Sequence, residues 1–272
     1  MSSVTGDRPL VFAHRGSSYA LAEHTLGAYL RAIDEGADGL ECDVRLTRDG
    51  HLVCVHDRRI DRTSSASGVL SEFDLDDLRG VDFGSWRADL PDSADAFIED
   101  RDSTEAPVLT LERLLDVVLG AERPVRLLIE TKHPTRYAGL VEQQLVRLLR
   151  RFGVAEPPRR EASPVAVMSF APTALRRIRL LAPNLPTVQL FERVPVLRRD
   201  GSLSPAADIA GPGIDIVRGH PRYPKLVHAR GHLVYVWTVD EPEDIDLVLS
   251  VGVDGIITDR PADVLARLAA EH

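Results

Sequence analysis

The chain predicts an α/β fold, a (β/α)8 TIM barrel with a small insertion after the second strand. Three observations carry that prediction. Short β-branched or apolar runs alternate with helical stretches, eight such runs can be counted, and no glycine-rich dinucleotide fingerprint follows the first of them. The last observation disfavours the structural alternative, an open doubly wound sheet.

The strand runs are Leu10 to His14, Gly39 to Val44, Arg126 to Thr131, Val165 to Ser169, Thr187 to Phe191, Asp215 to Val217, Leu233 to Thr238 and Gly255 to Thr258. Between them, helices are expected over Thr25 to Glu35, Leu111 to Leu119, Tyr137 to Phe152, Pro172 to Leu181, Pro242 to Val251 and Pro261 to Ala270, several opening on a proline as first helical turns prefer. Residues 193 to 213 are mixed, so the connection to the sixth strand is expected to be short or irregular. One unit departs from the repeat. Thr47-Arg48-Asp49-Gly50 followed by the apolar stretch His51 to His56 reads as a hairpin returning along the second strand. Residues 57 to 107 form a long excursion, and its tail, 89 to 105, holds seven acids against the single base Arg101, the composition of a solvated loop. Residues 1 to 272 read as one barrel domain carrying this excursion.

Hydrophobic residues make up 44% of the 272-residue chain and charged ones 28%, which excludes a disordered or fibrous protein. Lys plus Arg number 33 against 42 Asp plus Glu, a net charge of -9, so no nucleic acid partner is expected, although a local site for one phosphate is compatible with that balance. Cys42 and Cys54 are too few for a disulfide framework and suit a reducing compartment. The N-terminus lacks a basic run before an apolar core, and no stretch approaches the roughly 18 to 20 apolar residues of a membrane span. A cytoplasmic protein without a stable membrane anchor is expected.

Catalytic groups of such barrels sit at the C-terminal ends of strands. Three strand ends carry polar residues that a core would reject: His14-Arg15-Gly16, Glu41 with Asp43, and Glu130-Thr131-Lys132. Glu41 and Asp43 share a strand face, as do Glu130 and Lys132. Three carboxylates at one barrel mouth repel one another unless a cation sits among them, and oxygen-only ligands favour a hard ion such as Mg2+ or Ca2+. Singly, each acid reads equally as a helix cap or as a partner of Arg15, Arg45 or Lys132; together at strand ends they point to a metal. His14 and His56 end apolar runs near the same mouth and suit a general acid and a general base. Arg15 and Lys132 add positive charge for a phosphoryl transition state. Phosphoester cleavage is the chemistry this set suggests.

The motifs His14-Arg15-Gly16, Glu23-His24-Thr25, Gly36 to Val44, Thr47 to Gly50, His56-Asp57 and Arg62-Thr63 resemble the glycerophosphodiester phosphodiesterase family in order and spacing. Leu109 to Glu112, Glu130 to Lys132, Ser169-Phe170, Val236 to Val239 and Thr258 to Pro261 extend the resemblance over nearly the whole chain. It implies a metal-dependent barrel enzyme of lipid and glycerol metabolism that hydrolyses small glycerophosphodiesters to glycerol 3-phosphate and an alcohol, by attack of water or the glycerol hydroxyl. By position, Glu41, Asp43 and Glu130 are the metal ligands, His14 and His56 the acid-base pair, and Arg15 and Lys132 the phosphate holders. The alternatives are a phospholipase D- or C-like activity on lysophospholipids or phosphoinositides, and a phosphate-binding barrel without turnover. Net acidity disfavours the first and the intact histidines the second.

One departure stands out. The family usually carries Pro-Glu-Asn-Thr where this chain has Ala22-Glu23-His24-Thr25, and His24, at a helix start, reads as a structural substitution outside the catalytic set. Trp237 is expected at the mouth, facing the substrate or packing the rim. Phe170 and Phe191 are expected in the core, and His220, His228 and His232 at the surface.

Overall fold

The computed structural model describes residues 8–87 and 106–270. Its strands are β1 (Leu10–His14), β2 (Gly39–Leu46), β3 (Leu52–Cys54), β4 (Arg126–Thr131), β5 (Val165–Ser169), β6 (Thr187–Phe191), β7 (Ile209–Pro212), β8 (Leu233–Val236) and β9 (Gly255–Thr258). All but β3 run parallel in the order β1-β9-β8-β7-β6-β5-β4-β2, and β1 pairs with both β9 and β2. That double pairing closes the eight-stranded ring and excludes the open sheet. The ninth strand, β3, lies antiparallel to β2 with Val44 opposite Cys54, the hairpin that the Asp49-Gly50 turn predicts.

Period-two alternation sorts the strand residues into two shells. Along β1, Phe12 faces a cluster with Leu128, Met168, Val188, Ile209, Tyr235 and Ile257 inside the barrel, while Val11 and Ala13 face the helices. The helices are α1 (Leu26–Asp34), α2 (Leu111–Leu119), α3 (Leu140–Arg151), α4 (Pro172–Leu181), α5 (Ile214–Gly219), α6 (Tyr223–Ala229), α7 (Pro242–Ser250) and α8 (Pro261–Ala269). Thr25 caps α1 by accepting the Ala28 N–H at 3.2 Å, and Thr110 caps α2 likewise, each contributing about 1 kcal/mol.

The sixth barrel strand is a correction. It is Ile209–Pro212, and the β-branched run Asp215 to Val217, predicted as that strand, lies in α5. Gly and Pro give β7 little strand propensity, but the barrel requires the glycine. A Cβ on Gly211 would fall 2.6 Å from Leu190 Cδ2. In the helix, Ile216 and Val217 are buried, and Asp215 stands in the first turn, where a negative charge suits the helix dipole. The connection from β6 to β7 is irregular as expected, with one 3-10 turn at Val196–Arg198.

After β3 the excursion folds back as 3-10 turns, and Ile60, Leu70, Leu78 and Phe83 pack on Val53 and Val55. The acidic stretch 89 to 105 lies outside the described residues. Among the described residues no helix is long and apolar enough to cross a membrane.

Candidate active site

The first strand delivers its polar end through a tight turn. Gly16 has φ +90°, and a Cβ there would meet the Ala28 carbonyl carbon at 2.7 Å, so α1 approaches the turn as closely as glycine alone permits. Arg15 and His24 also hold left-handed φ values, +58° and +61°. Two non-glycine residues in that region within ten positions mark a backbone shaped by its site. The turn directs His14 and Arg15 to the mouth of the barrel.

From β2, Glu41 and Asp43 enter the same space, and β4 adds Glu130. All three are buried, and one oxygen of each lies within 4.8 Å of the others. Their charge is only partly balanced. Lys132 Nζ stands 2.9 Å from Glu130 Oε1 and 3.1 Å from Asp43 Oδ1, and Arg15 Nε stands 3.1 Å from Asp43 Oδ2. Burial and the neighbouring Asp43 charge push Glu41 well above the usual carboxylate range and Glu130 up to about 8. Burial acts the same way on Asp43, but His24, Lys132 and Arg15 outweigh it and hold that carboxyl low. Asp43 Oδ1 is buried without an aligned hydrogen-bond donor despite the nearby ammonium. An excess of buried negative charge, all-oxygen donors and an orphaned carboxylate oxygen fit a hard divalent cation. The three predicted ligands thus come together at one point.

Both predicted histidines are backed by a carboxylate. His14 Nδ1 lies 2.6 Å from Asp259 Oδ1, just beyond β9, and His56 Nδ1 lies 2.7 Å from Asp57 Oδ1. Such a partner keeps the proton on Nδ1 and leaves Nε2 available. Burial, reinforced by Arg15 and Lys132, lowers His56 to about 4, so its imidazole is neutral at pH 7. Asp57 is fixed in turn by Arg62 Nε at 2.6 Å, while Ser18 Oγ donates to Asp259 at 2.8 Å.

Arg15 and Lys132 flank the carboxylates as predicted, yet their ion pairs are with acids of the site: Arg15 also reaches Glu23 Oε1 at 3.0 Å. Glu23, shared with Arg62, is lowered to about 2 against the cost of its burial. Trp237 follows β8 at the barrel rim. Its indole N–H donates to Gly211 O at 2.7 Å, and its ring meets Phe170 edge-on, with centroids 5.4 Å apart. Phe170 corrects the core expectation, being 39% exposed, whereas Phe191 is buried against Tyr223. His220 is exposed; His228 and His232 are half-buried and bind Asp254 and the Asp208 carbonyl.

Sequence reasoning assigned no role to Asp57, Asp259 or Glu23 and left His24 outside the catalytic set. The signal for Asp57 was its place beside His56. Asp259 sits 245 residues from His14, a distance only barrel closure removes. His24, read as a structural substitution, is buried with Nε2 3.0 Å from Asp43 Oδ2 and Nδ1 2.8 Å from the Tyr29 hydroxyl. It therefore touches a predicted metal ligand.

Comparison with known proteins gives a consistent result. The model of the glycerophosphoryl diester phosphodiesterase family matches residues 14–263. A Mycobacterium tuberculosis protein named "Probable glycerophosphodiester phosphodiesterase 1" is 46% identical over 265 residues, 97% of this chain and 94% of its own. A Bacillus subtilis glycerophosphodiester phosphodiesterase is 32% identical over 258 residues, covering 94% of this chain and 85% of its own. Among solved structures, a phosphodiesterase of Oleispira antarctica, in complex with the product sn-glycerol-3-phosphate, superposes with a TM-score of 0.79 at 22% identity, over 96% of this chain and 97% of that one. At that identity the likeness concerns the fold.

Proposed function

Because the chain belongs to the glycerophosphoryl diester phosphodiesterase family, we propose that this phosphodiesterase hydrolyses small glycerophosphodiesters to glycerol 3-phosphate and an alcohol, with His14 and His56 as its proton-transfer pair. The observation that carries the reading is the meeting of three buried carboxylates with two carboxylate-backed imidazoles at one barrel mouth.

Glu41, Asp43 and Glu130 would hold a divalent cation, Mg2+ or Ca2+ by their oxygen-only chemistry. When bound, it supplies positive charge that stabilises the phosphoryl oxygens in the transition state. Arg15 and Lys132 stand beside those carboxylates and orient the phosphodiester. His56, neutral at pH 7, takes at Nε2 the proton of the attacking water, or of the glycerol hydroxyl, in which case water opens the resulting cyclic phosphate in a second step with the two histidines exchanging roles. As the phosphorus–oxygen bond to the alcohol breaks, His14 serves as the general acid and a proton passes from its Nε2 to the leaving oxygen. Asp57 and Asp259 keep the two rings aimed and stabilise each in its charged form. Trp237 walls the mouth next to Phe170, where an aromatic rim excludes water from the alcohol side. The neighbouring free thiols of Cys42 and Cys54 support a cytoplasmic location.

The reading is tested by following glycerol 3-phosphate release from glycerophosphocholine and glycerophosphoethanolamine. The protein is first stripped with EDTA, then given Mg2+, Ca2+ or Mn2+ in turn. Release restored by a cation is the expected result. A folded protein silent with every cation and both substrates overturns it.

A further inference from the structure

Behind the carboxylate cluster lies a buried polar pair that the proton-transfer scheme does not use. His24 precedes the capping residue of α1, Tyr29 stands one turn inside that helix, and both are buried. The Tyr29 hydroxyl lies 2.8 Å from His24 Nδ1 and 3.1 Å from the backbone oxygen of Glu41. On the far side of the imidazole, Nε2 lies 3.0 Å from Asp43 Oδ2. An ionised carboxylate only accepts, so Nε2 presents an N–H to it. Burial raises the Tyr29 phenol well above its ordinary range, so the hydroxyl keeps its proton. One side chain of α1 is thus joined to the backbone of Glu41 and, through His24, to the side chain of Asp43.

The contact with His24 carries particular weight at Asp43. Among the described residues it is the one aligned hydrogen bond that this carboxylate accepts. Arg15 Nε and Lys132 Nζ each approach within 3.1 Å, yet Arg15 Nε and Asp43 Oδ1 both lack an aligned partner. An ion pair attracts without fixing direction, whereas a hydrogen bond weakens steeply off its axis. His24 therefore sets the rotation of the Asp43 carboxylate, holding Oδ2 toward the imidazole and leaving Oδ1 free. Its own position does not depend on Asp43, because its backbone N–H bonds to Arg15 O at 3.0 Å and the Tyr29 hydroxyl holds the ring. The other two carboxylates are engaged on one oxygen likewise. Glu41 Oε2 accepts the Arg15 N–H at 3.2 Å, and Glu130 Oε1 lies 2.9 Å from Lys132 Nζ.

We propose that Tyr29 and His24 act as a positioning pair that holds Asp43 to one free oxygen and so turns the cation site toward Mg2+ and against Ca2+. The inference rests on the cation site proposed above and narrows which ion it selects. Carboxylates limited to one oxygen suit Mg2+, which is small, demands octahedral geometry and keeps part of its water shell. Ca2+ is larger, takes more oxygens and gains from carboxylates that offer both.

The test is calorimetric titration of the EDTA-stripped full chain with Mg2+ and, separately, with Ca2+, in the parent, Tyr29→Phe, His24→Leu and the double variant. Tyr29→Phe removes the hydroxyl and keeps the buried ring. It is expected to weaken Mg2+ binding by about tenfold and Ca2+ binding by about threefold or less, because a loosened Asp43 turns both oxygens to the larger ion. A change in helix packing alone moves both affinities together, so their ratio reads positioning. In the His24→Leu background, Tyr29→Phe is expected to change either affinity by no more than about twofold, since its effect passes through the imidazole. Equal losses for the two ions, no loss for either, or a full effect of Tyr29→Phe without His24 overturns the proposal. Should Tyr29→Phe not fold, judged by circular dichroism, the ratio in His24→Leu decides: a shift toward Ca2+ of at least about threefold upholds the pair, and an unchanged ratio overturns it. A parent that binds neither ion shows instead that the carboxylate cluster is not a cation site, and the proposal falls with that reading.

Discussion

His14 Nδ1 and Asp259 Oδ1 lie 2.6 Å apart, joining the end of the first barrel strand to the residue that follows the last. The contact exists because β1 pairs with β9, and it gives ring closure a chemical purpose: the imidazole is aimed by a group from the opposite end of the chain. Asp259→Asn is expected to lower kcat by about 100-fold, through loss of the tautomer and orientation that the carboxylate enforces, with far-ultraviolet circular dichroism unchanged. A rate within threefold of the parent would remove Asp259 from the mechanism.

His14→Ala and His56→Ala are each expected to cut turnover by at least about 1000-fold while leaving the fold intact. The pH dependence carries a sign. A base must be unprotonated, and burial lowers His56 to about 4, so kcat/KM holds through mildly acidic pH and falls only as pH drops toward about 4. Asp57 raises His56, so Asp57→Asn is expected to move that acid limb to still lower pH as well as reduce the rate. An acid limb near pH 6.5 in the parent would place the base elsewhere.

Divalent cations are expected to raise the melting temperature of the EDTA-stripped protein, because a cation bound to the native state relieves the repulsion among Glu41, Asp43 and Glu130. Glu41→Gln should abolish most of that rise. His24→Leu should weaken cation binding by about tenfold through loss of the support at Asp43 Oδ2, and His24→Asn, which retains a donor, should recover part of it. Calorimetric titration separates these outcomes from changes in rate. Cation affinity unchanged in His24→Leu would confine His24 to packing.

Glu23 is tied to Arg15 and Arg62 and lowered to about 2 from an ordinary 4.5. A depressed carboxyl stabilises the fold above its unfolded pKa and loses that contribution as pH falls through its folded value. Glu23→Gln is therefore expected to cost on the order of 2 to 3 kcal/mol at pH 7, and the gap between variant and parent should shrink by more than half at pH 3. Urea unfolding at the two pH values measures it; a gap independent of pH would mean the ion pairs contribute nothing to stability.

Most of the site was legible in the sequence for a local reason. Strand ends fix which residues reach a barrel mouth, and spacing by two fixes the shared face, so Glu41 with Asp43 and Glu130 with Lys132 follow from a short stretch of chain each. The sixth strand was not legible. Ile-Ala-Gly-Pro has weak strand character, and Ile-Asp-Ile-Val has strong strand character yet forms a helix, because placement there is set by the walls of β6 and β8 and by Leu190 pressing where Gly211 lacks a side chain.

Local pattern thus determined the barrel and the hairpin, and placed the three carboxylates and the two histidines at or near strand ends. The tertiary structure decided which acids stand behind the histidines, that His24 reaches Asp43 and that Phe170 leaves the core for the rim. The physical reason is the range of the interaction. Periodicity and turn chemistry act within about ten residues and are written in the sequence, whereas an ion pair, a cavity or a shared electrostatic field depends on distances in space that closure of the barrel alone creates.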